Sequence, residues 1–252
     1  MAVGGHLEID YRDVPSIAIP LGLLGGLAVH SHPQHQLTWV PEGVLTMEAD
    51  DCRWVLQRSR ALFIPGDTLH SQTAALPYAL VSLYFDPDDC PLPWTRPTVV
   101  DATGIVGPLL DYIAKLPTGH AGERARAVSV LWDVLAPMSV TTLPTVLPQD
   151  PLAQRIALAL KDNPADTRGI DEWGREVGSS ARTLSRRFRA ETGISFDRWR
   201  TLERLNASLP RLAAGEPISR VAREVGYQTP SAFVAAFKRE IGTTPAMYFQ
   251  AG

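Results

Sequence analysis

The residue types best suited to bind an ion lie in the first third of the chain, where several histidines cluster. His30 and His32 are two residues apart, Gln36 follows, and His70 comes after a proline-glycine turn. Residues two apart on a β-strand share a face, so His30, His32 and Gln36 are predicted to point to one side and His35 to the other. Three imidazoles and an amide oxygen can ligate a divalent transition metal, and these ligands do not distinguish Fe, Ni, Zn and Mn.

The same side chains have a second interpretation, in which they line a polar pocket that holds no ion. Gln36 is uncharged, so the four side chains bring no negative charge to offset a divalent cation. A pocket of this kind would bind a small organic molecule. The histidines therefore predict an effector site, either for a metal or for a small molecule.

A second set of side chains, much later in the chain, is suited to bind a polyanion. Leu184 and Phe188 are spaced by four residues, which lets both anchor one face of a helix in a core. At about 100° per residue, this anchoring turns four polar residues to the opposite face: Arg182, Ser185, Arg186 and Arg189. An arginine-rich outer face is what a recognition helix presents to the major groove of double-stranded DNA.

Charge is distributed unevenly along the chain. Residues 150–252 contain 16 Lys and Arg against 12 Asp and Glu, a net charge of +4, whereas the rest contains 8 against 15, a net charge of −7. The basic half is therefore the candidate for a polyanionic partner. Two cysteines outside any CxxC pattern, and apolar stretches shorter than the roughly 18 residues of a membrane helix, predict a cytoplasmic protein with no membrane partner.

The basic half contains an internal repeat. Gly174-x3-Gly178 recurs 48 residues later as Ala222-x3-Gly226. Four further residues recur at an offset of 49: Leu184, Phe188, Glu191 and Gly193 recur as Phe233, Phe237, Glu240 and Gly242. A small residue lets two helices approach closely, and a glycine four residues later can adopt a left-handed turn conformation. The repeat therefore predicts two helix-turn-helix units.

Short strands are predicted to position the histidines. Between residues 28 and 85, apolar runs alternate with turn signals such as Pro41-Glu42-Gly43 and Pro65-Gly66-Asp67. This spacing is typical of a small barrel or sandwich.

Two amphipathic helices are predicted after the strands. Residues 105–116 and residues 124–135 each place apolar side chains on one face: Ile105, Leu109, Tyr112, Ile113 and Leu116 in the first, and Val128, Leu131, Trp132 and Leu135 in the second. Residues 137–151 contain four prolines and almost no charge, which predicts an interdomain linker.

The order of parts in the basic half resembles the AraC/XylS family of transcription regulators over residues 152–249. The most specific stretch is residues 177–188 (VGSSARTLSRRF) with Glu191-Thr192-Gly193. Residues 218–226 and several later positions look like the family's signature: Phe233, Phe237, Lys238, Gly242 and Pro245. The resemblance implies that two helix-turn-helix units, joined by a long helix, enter successive major grooves on one side of the DNA.

The resemblance also implies roles for individual residues. It puts six residues in base-facing positions: Arg182, Ser185 and Arg186 in the first unit, and Ser231, Val234 and Ala235 in the second. Arginine can donate two hydrogen bonds to guanine, whereas valine and alanine offer only apolar contact, so we expect the first unit to carry most of the base specificity. The remaining basic residues are interpreted as phosphate contacts: Arg187, Arg189, Lys238 and Arg239.

The resemblance further implies a homodimer, which the two amphipathic helices would form or support unless they simply cover the barrel. RNA polymerase is a further expected partner. Trp173 and Gly174 depart from the family pattern, and glycine within a helix costs about 1 kcal/mol relative to alanine. Pro210 falls within the predicted joining helix, residues 197–213, where it would remove a hydrogen bond and introduce a kink.

The histidine segment resembles the cupin motifs, which have the form HxHxxxE followed by glycine, and later PxGxxH. In this chain they are His30-x-His32-x3-Gln36, then Gly43, and Pro65-x-Asp67-x2-His70. The resemblance implies that the histidines converge inside a barrel. Gln36 replaces a glutamate ligand and Asp67 replaces a glycine, so metal binding does not follow from the resemblance.

Together these patterns predict an α+β two-domain protein. A cupin-like β-barrel with two helices occupies residues 1–136 and serves effector binding and dimerisation, a linker occupies residues 137–151, and an all-α tandem helix-turn-helix domain occupies residues 152–252. The predicted function is sequence-specific DNA binding that regulates transcription in response to a small-molecule or metal effector. The alternative is an enzyme, in which a three-histidine metal centre activates oxygen or polarises a substrate.

Overall fold

The computed structural model describes residues 7–8, 16–50, 52–117, 119–138 and 146–250. The chain divides into two compact units, one mainly within residues 1–140 and one mainly within residues 141–251. The strands and the first two α-helices belong to the first unit, and the remaining described elements are helices. The predicted α+β class, with a strand-rich first part and an all-α second part, is confirmed.

The first unit is built on a curved and mostly antiparallel sheet. Its described strands are β1 (Leu7–Glu8), β2 (Ser16–Ser31), β3 (His35–Trp39), β4 (Leu45–Ala49), β5 (Cys52–Leu56), β6 (Arg60–Ile64), β7 (His70–Phe85) and β8 (Thr98–Asp101). They pair in the order β1-β2-β7-β3-β6-β8, and β4 pairs with β5 and β7. The first part of β7 pairs with β4 and its last part with β3, so the sheet curls around an interior. Among the described strands, β8 does not pair with β1, so the ends of this path are not closed into a complete barrel.

Alternation along the central strands separates two apolar cores. Leu37 and Phe63 belong to the core that faces the helices, whereas Leu62, Tyr78 and Leu80 belong to the core inside the curled sheet. Because successive side chains point to opposite faces, Ser82 and Tyr84 continue the inner face of β7. The inner face therefore carries polar groups at one end of β7 and apolar groups further along it.

Two tight turns bring the histidine-bearing segments together. The main-chain N–H of Asp67 donates to the carbonyl oxygen of His32 over 2.8 Å, and a Cβ atom on Gly66 would lie 2.1 Å from the carbonyl oxygen of Pro33. Asp67 stands where the cupin pattern has glycine, and its φ of 62° is a left-handed conformation that glycine adopts most readily. Asp is one of the residues that tolerate this conformation, which explains how the turn survives the substitution.

Two helices, α1 (Val106–Lys115) and α2 (Ala121–Val134), cover one face of the sheet. The predicted apolar face of the first helix was wrong in part, because Val106, Leu110 and Ile113 are buried while Ile105 and Tyr112 are exposed. The physical reason is that the hydroxyl of Tyr112 donates to Glu123 of α2, which keeps the ring at the surface. In α2, Leu131 is buried and the other predicted apolar residues are half-buried, as expected.

The second unit is composed of helices in its described residues. These are α3 (Pro151–Asp162), α4 (Ile170–Val177), α5 (Ala181–Thr192), α6 (Phe196–Ala213), α7 (Ile218–Glu224), α8 (Pro230–Ile241) and α9 (Pro245–Gln250). The core of its first half contains Trp173, Leu184, Phe188 and Trp199, each almost completely buried. None of the helices in the described part of the chain combines the length and the apolar character needed to cross a bilayer.

Helix α6 is the predicted joining helix, and it includes Pro210. The proline lies in the last turn, where the main-chain N–H of Ala214 still donates to its carbonyl oxygen over 3.0 Å. Proline here removes the N–H that would bond to the carbonyl oxygen of Asn206 and crowds that oxygen, so the disturbance is confined to the last two turns of the helix. The helix therefore continues through Pro210 to Ala213.

Candidate DNA interface and candidate metal centre

The first helix-turn-helix unit consists of α4 and α5. Gly178 ends α4 in the left-handed conformation, with φ 71°, and the main-chain N–H of Ser179 donates to the carbonyl oxygen of Gly174 over 2.8 Å. A Cβ atom on Gly174 would lie 2.6 Å from the carbonyl oxygen of Ser179. Glycine is therefore required here by packing, in spite of its cost in helix propensity, because the turn passes too close for a side chain.

The second unit, α7 and α8, repeats this construction. The main-chain N–H of Tyr227 donates to the carbonyl oxygen of Ala222 over 2.8 Å, and Gly226 has φ 86°. Tyr227 and Ala222 occupy the positions of Ser179 and Gly174 at the offset of 48 seen in the sequence. The internal repeat is thus a repeat of turn geometry.

The second helix of each unit is anchored and capped in the same way. Its two aromatic or aliphatic anchors are fully buried: Leu184 and Phe188 in α5, and Phe233 and Phe237 in α8. The side chain of Ser180 caps the N-terminus of α5 by accepting from the N–H of Thr183, and Thr229 caps α8 by accepting from Ala232. The two helices are therefore held rigidly with one face directed to solvent.

The outer face of α5 carries the residues that the sequence assigned to it. Arg182, Ser185, Arg186 and Arg189 are exposed. Within the part of the chain that the structure describes, none of the three arginine side chains has an ion pair or hydrogen bond. Their guanidinium groups are therefore available to a polyanion.

The outer face of α8 is less basic. Ser231 and Ala235 are exposed and Val234 is half-buried, with Lys238 and Arg239 exposed beyond them. The guanidinium of Arg239 already pairs with Glu240, with 2.9 Å between Nε and Oε1. The two units therefore present different chemistry, with several free guanidinium groups on α5 and small side chains on α8.

Arg187 differs from the other arginines of α5. Its Nη1 atom lies 2.9 Å from Oδ2 of Asp150, a residue just before α3. Asp150 and Glu191 were not among the sequence candidates, although the acid at the start of a proline-initiated helix was visible in the sequence. Asp150 partly neutralises Arg187 in this ion pair, which weakens the phosphate contact expected for that arginine.

The three sequence-predicted histidines of the first unit do converge. His30, His32 and His70 are buried, and one ring nitrogen from each lies within 4.8 Å of the others. The strand register explains the convergence, because His30 of β2 pairs directly with His70 of β7, and His32 lies one residue beyond the end of β2. His35 points away, as predicted, and its Nδ1 accepts from the N–H of Gly66 over 2.8 Å.

Main-chain carbonyls orient all three rings. The Nδ1 atoms of His30, His32 and His70 lie 2.9, 2.8 and 2.8 Å from the carbonyl oxygens of Ala28, Gln34 and Thr68. Because a carbonyl oxygen only accepts, each Nδ1 carries the proton and each Nε2 offers a lone pair. Carbonyl-bonded Nδ1 atoms that direct Nε2 lone pairs to one point are typical of histidines that ligate a metal.

Gln36 completes the group from β3. Its Oε1 atom lies 3.0 Å from Nε2 of His32, and its Nε2 atom donates to the hydroxyl of Thr38 over 2.6 Å. The hydroxyls of Thr38 and Ser82 are 2.9 Å apart, so a buried polar chain leads from the histidines into the unit. With Nδ1 of His32 protonated, two acceptors face each other, an arrangement relieved by a cation between them or by rotation of the amide.

Burial makes His70 and His32 poor bases. It lowers the pKa of His70 to about 4, and the neighbouring His30 and His32 add to the effect. Burial likewise lowers the pKa of His32. Neutral imidazoles are the form that binds a metal, so the environment favours the ligating form at neutral pH.

The residues present fit a divalent metal. The Nε2 atom of His70 is buried and has no hydrogen-bond partner among the described residues. Metal–nitrogen bonds of about 2.1 Å place ligand atoms roughly 3 to 3.4 Å apart, so ring nitrogens that lie up to 4.8 Å apart would move closer by up to about 1.5 Å to bind one ion. A metal held here would supply a positively charged centre open to a further ligand.

A cavity of about 260 Å³ adjoins the histidines. His30, Gln36 and Ser82 line one part of it, and apolar side chains of β2 and β7 line the rest, including Ile17, Ile19, Leu27 and Leu80. Tyr78 also lines it, and its buried hydroxyl has no partner among the described residues. The residues predicted from the sequence did not include Tyr78, Ser82 and Tyr84, although the two-residue alternation of β7 groups them on one face.

Comparison with known proteins identifies relatives of both parts of the chain. Residues 173–251 match the family described as a helix-turn-helix domain. The chain is 27% identical over 226 residues to the HTH-type transcriptional regulator NimR of Escherichia coli, which covers 87% of this chain and 81% of NimR.

Two further relatives each match about two fifths of the chain. The HTH-type transcriptional regulator RipA of Corynebacterium glutamicum is 39% identical over 40% of this chain and 31% of RipA. An AraC-like transcription regulator of Streptomyces antibioticus is 31% identical over 39% of this chain and 33% of its own length. These two alignments cover less than half of the chain and about a third of each relative, whereas the NimR alignment includes residues of both units.

Proposed function

Because this chain is an AraC-like transcription regulator with a helix-turn-helix DNA-binding domain, we propose that α5 and α8 are its two recognition helices. The observation that carries the proposal is the repeated turn, in which Ser179 bonds to Gly174 and Tyr227 bonds to Ala222 at the same 2.8 Å. Two equivalent units joined by one helix, α6, suit two successive turns of a DNA duplex.

The two helices are proposed to read DNA differently. In α5, Arg182, Ser185 and Arg186 face base edges, and the two arginines donate paired hydrogen bonds to guanine. In α8, Ser231, Val234 and Ala235 face the bases and offer one hydroxyl and apolar contact, which suits thymine methyl groups. Exposed basic residues beside them contact phosphates: Arg189, Lys238, Arg239 and, once its ion pair opens, Arg187.

Footprinting tests this arrangement. A duplex selected from a random library by the full chain should show two protected segments about one helical turn apart on one side of the DNA. Missing-contact analysis should report guanines opposite α5 and thymines opposite α8. A single protected segment, or equal guanine contacts from both helices, would contradict the proposal.

The first unit is proposed to be the sensor, with the effector bound at the three histidines and in the adjoining cavity. Buried and carbonyl-oriented His30, His32 and His70 support a divalent metal held with Gln36 as a fourth ligand. These ligands are all neutral, so the ion's charge favours an additional anionic ligand. The cavity beside His30 and Gln36 gives a small molecule room to reach the ion.

Metal analysis of untagged protein tests this proposal. About one ion per chain is expected in the wild type and much less in His70→Ala. In the His70→Ala variant, the effector should no longer alter DNA binding, while effector-independent DNA binding should remain. Protein that binds DNA responsively with no metal would instead support the metal-free pocket. Consumption of a small molecule by metal-loaded protein would favour the enzymatic alternative.

A homodimer is proposed to form through α1. Ile105 and Tyr112 are 56% and 44% exposed, and with Leu109 they lie on one face of the helix at spacings of four and three residues. This apolar face is turned by about 100° from the buried residues Val106 and Leu110 of the same helix. A second copy of the chain would cover it, and contact with RNA polymerase remains a further prediction.

A further inference from the structure

The chain segment just before α3 is docked on the second unit. The indole Nε1 of Trp199 donates to the carbonyl oxygen of Val146 over 2.9 Å. The carboxylate of Glu191, on α5, accepts from the main-chain N–H groups of Gln149 and Asp150 at 2.7 and 2.9 Å. Residues 146–150, here called the docked segment, therefore lie against α5 and α6, although the sequence assigned them to a linker.

Asp150 joins the docked segment to an arginine of α5. The Nη1 atom of Arg187 lies 3.0 Å from Oδ1 and 2.9 Å from Oδ2 of Asp150. Asp150 also caps α3, because its Oδ1 accepts from the N–H groups of Leu152 and Ala153, each at 3.1 Å. The carboxylate thus serves a helix cap and an ion pair at once.

The ion pair sets Arg187 apart from its neighbours. Among the described residues, Arg182, Arg186 and Arg189 of the same helix have no ion pair. The side chain of Arg187 is 35% exposed, so solvent reaches it even while it is paired. A partly exposed ion pair contributes little net stability, so a phosphate oxygen can replace Asp150 as its partner.

We propose that Asp150 withholds Arg187 from the DNA backbone, and that release of the docked segment from α5 adds Arg187 as a phosphate contact. This inference rests on the proposed role of α5 as a recognition helix. The chain passes through the docked segment as it enters the second unit from the first. A change in the first unit that displaces this segment would therefore raise the affinity of the second unit for DNA.

The salt dependence of DNA binding by the full chain tests the inference. Asp150→Asn removes the charge and keeps a good helix cap, since Asn and Asp cap equally well. One added phosphate contact steepens the plot of log affinity against log salt by about 0.9. The ratio of variant to wild-type affinity for the selected duplex should therefore fall about 3-fold between 50 and 200 mM salt.

Matched variants separate release of Arg187 from a general change in charge. Glu191→Gln removes a carboxylate charge from the same region while keeping an acceptor for the two N–H groups, so its slope should change far less. Asp150→Ser, which also keeps a cap, should reproduce Asp150→Asn. The slopes of Arg187→Ala and Asp150→Asn/Arg187→Ala should be equal, because the gain requires Arg187.

An unchanged slope in both Asp150 variants would overturn the inference while leaving the proposed function intact. An equal rise in Glu191→Gln, or a rise that persists without Arg187, would overturn it as well, because net charge would then explain the effect. If the wild-type chain selected no duplex at all, the proposed function would fail, and the inference with it.

Discussion

The carbonyl oxygen of Ser179 lies 2.6 Å from the point where a Cβ atom on Gly174 would stand. In the second unit the equivalent residue is Ala222, which is fully buried and carries its methyl group at the same place in the turn. The two turns share a hydrogen bond, yet the first one passes closer to its helix. The glycine is therefore a requirement of packing in the first unit.

Gly174→Ala is predicted to destabilise the protein by about 1 to 3 kcal/mol, because the added methyl group must push the turn away. Helix propensity alone predicts the opposite, a gain of about 1 kcal/mol. Denaturant unfolding measures the difference, and Ala222→Gly serves as the comparison, with an expected loss of about 1 kcal/mol. A stabilised Gly174→Ala protein would show that the close approach is not real.

Arg186→Ala and Arg182→Ala are predicted to relax base preference, each at a defined position and each at a cost of about 1 to 3 kcal/mol. Lys238→Ala should weaken binding to all sequences similarly and lower the salt slope by roughly one, because a phosphate contact carries no sequence information. Competition between the selected duplex and its single-base variants measures both effects.

The same competition experiment can contradict the roles assigned to α5 and α8. If Lys238→Ala altered base preference and Arg186→Ala did not, the assignment of reading and positioning roles would be exchanged between α5 and α8. Lys115→Ala is a suitable control, since it removes an exposed positive charge from α1 of the first unit, outside the proposed DNA interface.

Much of the second unit follows from the sequence because its signals are local. In the first helix-turn-helix unit, the two glycines and the anchors Leu184 and Phe188 fix the turn and the buried face within 15 residues. The 3.6-residue period of a helix then predicts which residues face outward. The pairing of Arg187 could not be predicted in this way. Its partner Asp150 is 37 residues away, and only the packing of α3 against α5 brings the two together.

In the first unit, the sequence correctly predicted which side chains converge, but it did not predict which strands carry them. Period-two alternation grouped His30, His32 and Gln36 on one strand, yet the chain bends at residues 33–34 and Gln36 reaches His32 from β3. For helix α1, the element was predicted correctly and its buried face was not, because its sequence has apolar residues on more than one face. Sequence periodicity cannot tell which of those faces meets the sheet.

The exposed face of α1 predicts self-association. Light scattering on the full chain at micromolar concentration should give the mass of a dimer, and Ile105→Glu should shift it towards the monomer by placing a charge in an apolar interface. Val130→Glu is a matched control on the neighbouring helix, because Val130 is also exposed, at 44%. A strictly monomeric wild type would refute the dimer.

Acid should destabilise the metal-free protein through His70. The pKa of His70 is lowered to about 4 in the folded state by burial, against 6.5 in an unfolded chain. Above pH 6.5 the residue is neutral in both states and contributes nothing. Between about pH 6.5 and 4 the unfolded state takes up a proton that the folded state does not, so the free energy of unfolding falls by up to about 1.4 kcal/mol per pH unit.

The comparison that isolates this effect is with His70→Gln, since carboxylates also titrate in the lower part of the window. The difference in unfolding free energy between the wild type and the variant should shrink or reverse as the pH falls from 6.5 towards 4. Parallel pH profiles for the two proteins would contradict the burial of a neutral imidazole at this position.

The central claim is that sequence-specific DNA binding resides in the second unit. The most direct measurement is a gel shift with the selected duplex and a random competitor, using the full chain, residues 141–252 and residues 1–140. We predict that the full chain and residues 141–252 both retard the duplex with the same base preference, whereas residues 1–140 do not. Specific binding by residues 1–140, with none by residues 141–252, would contradict the account.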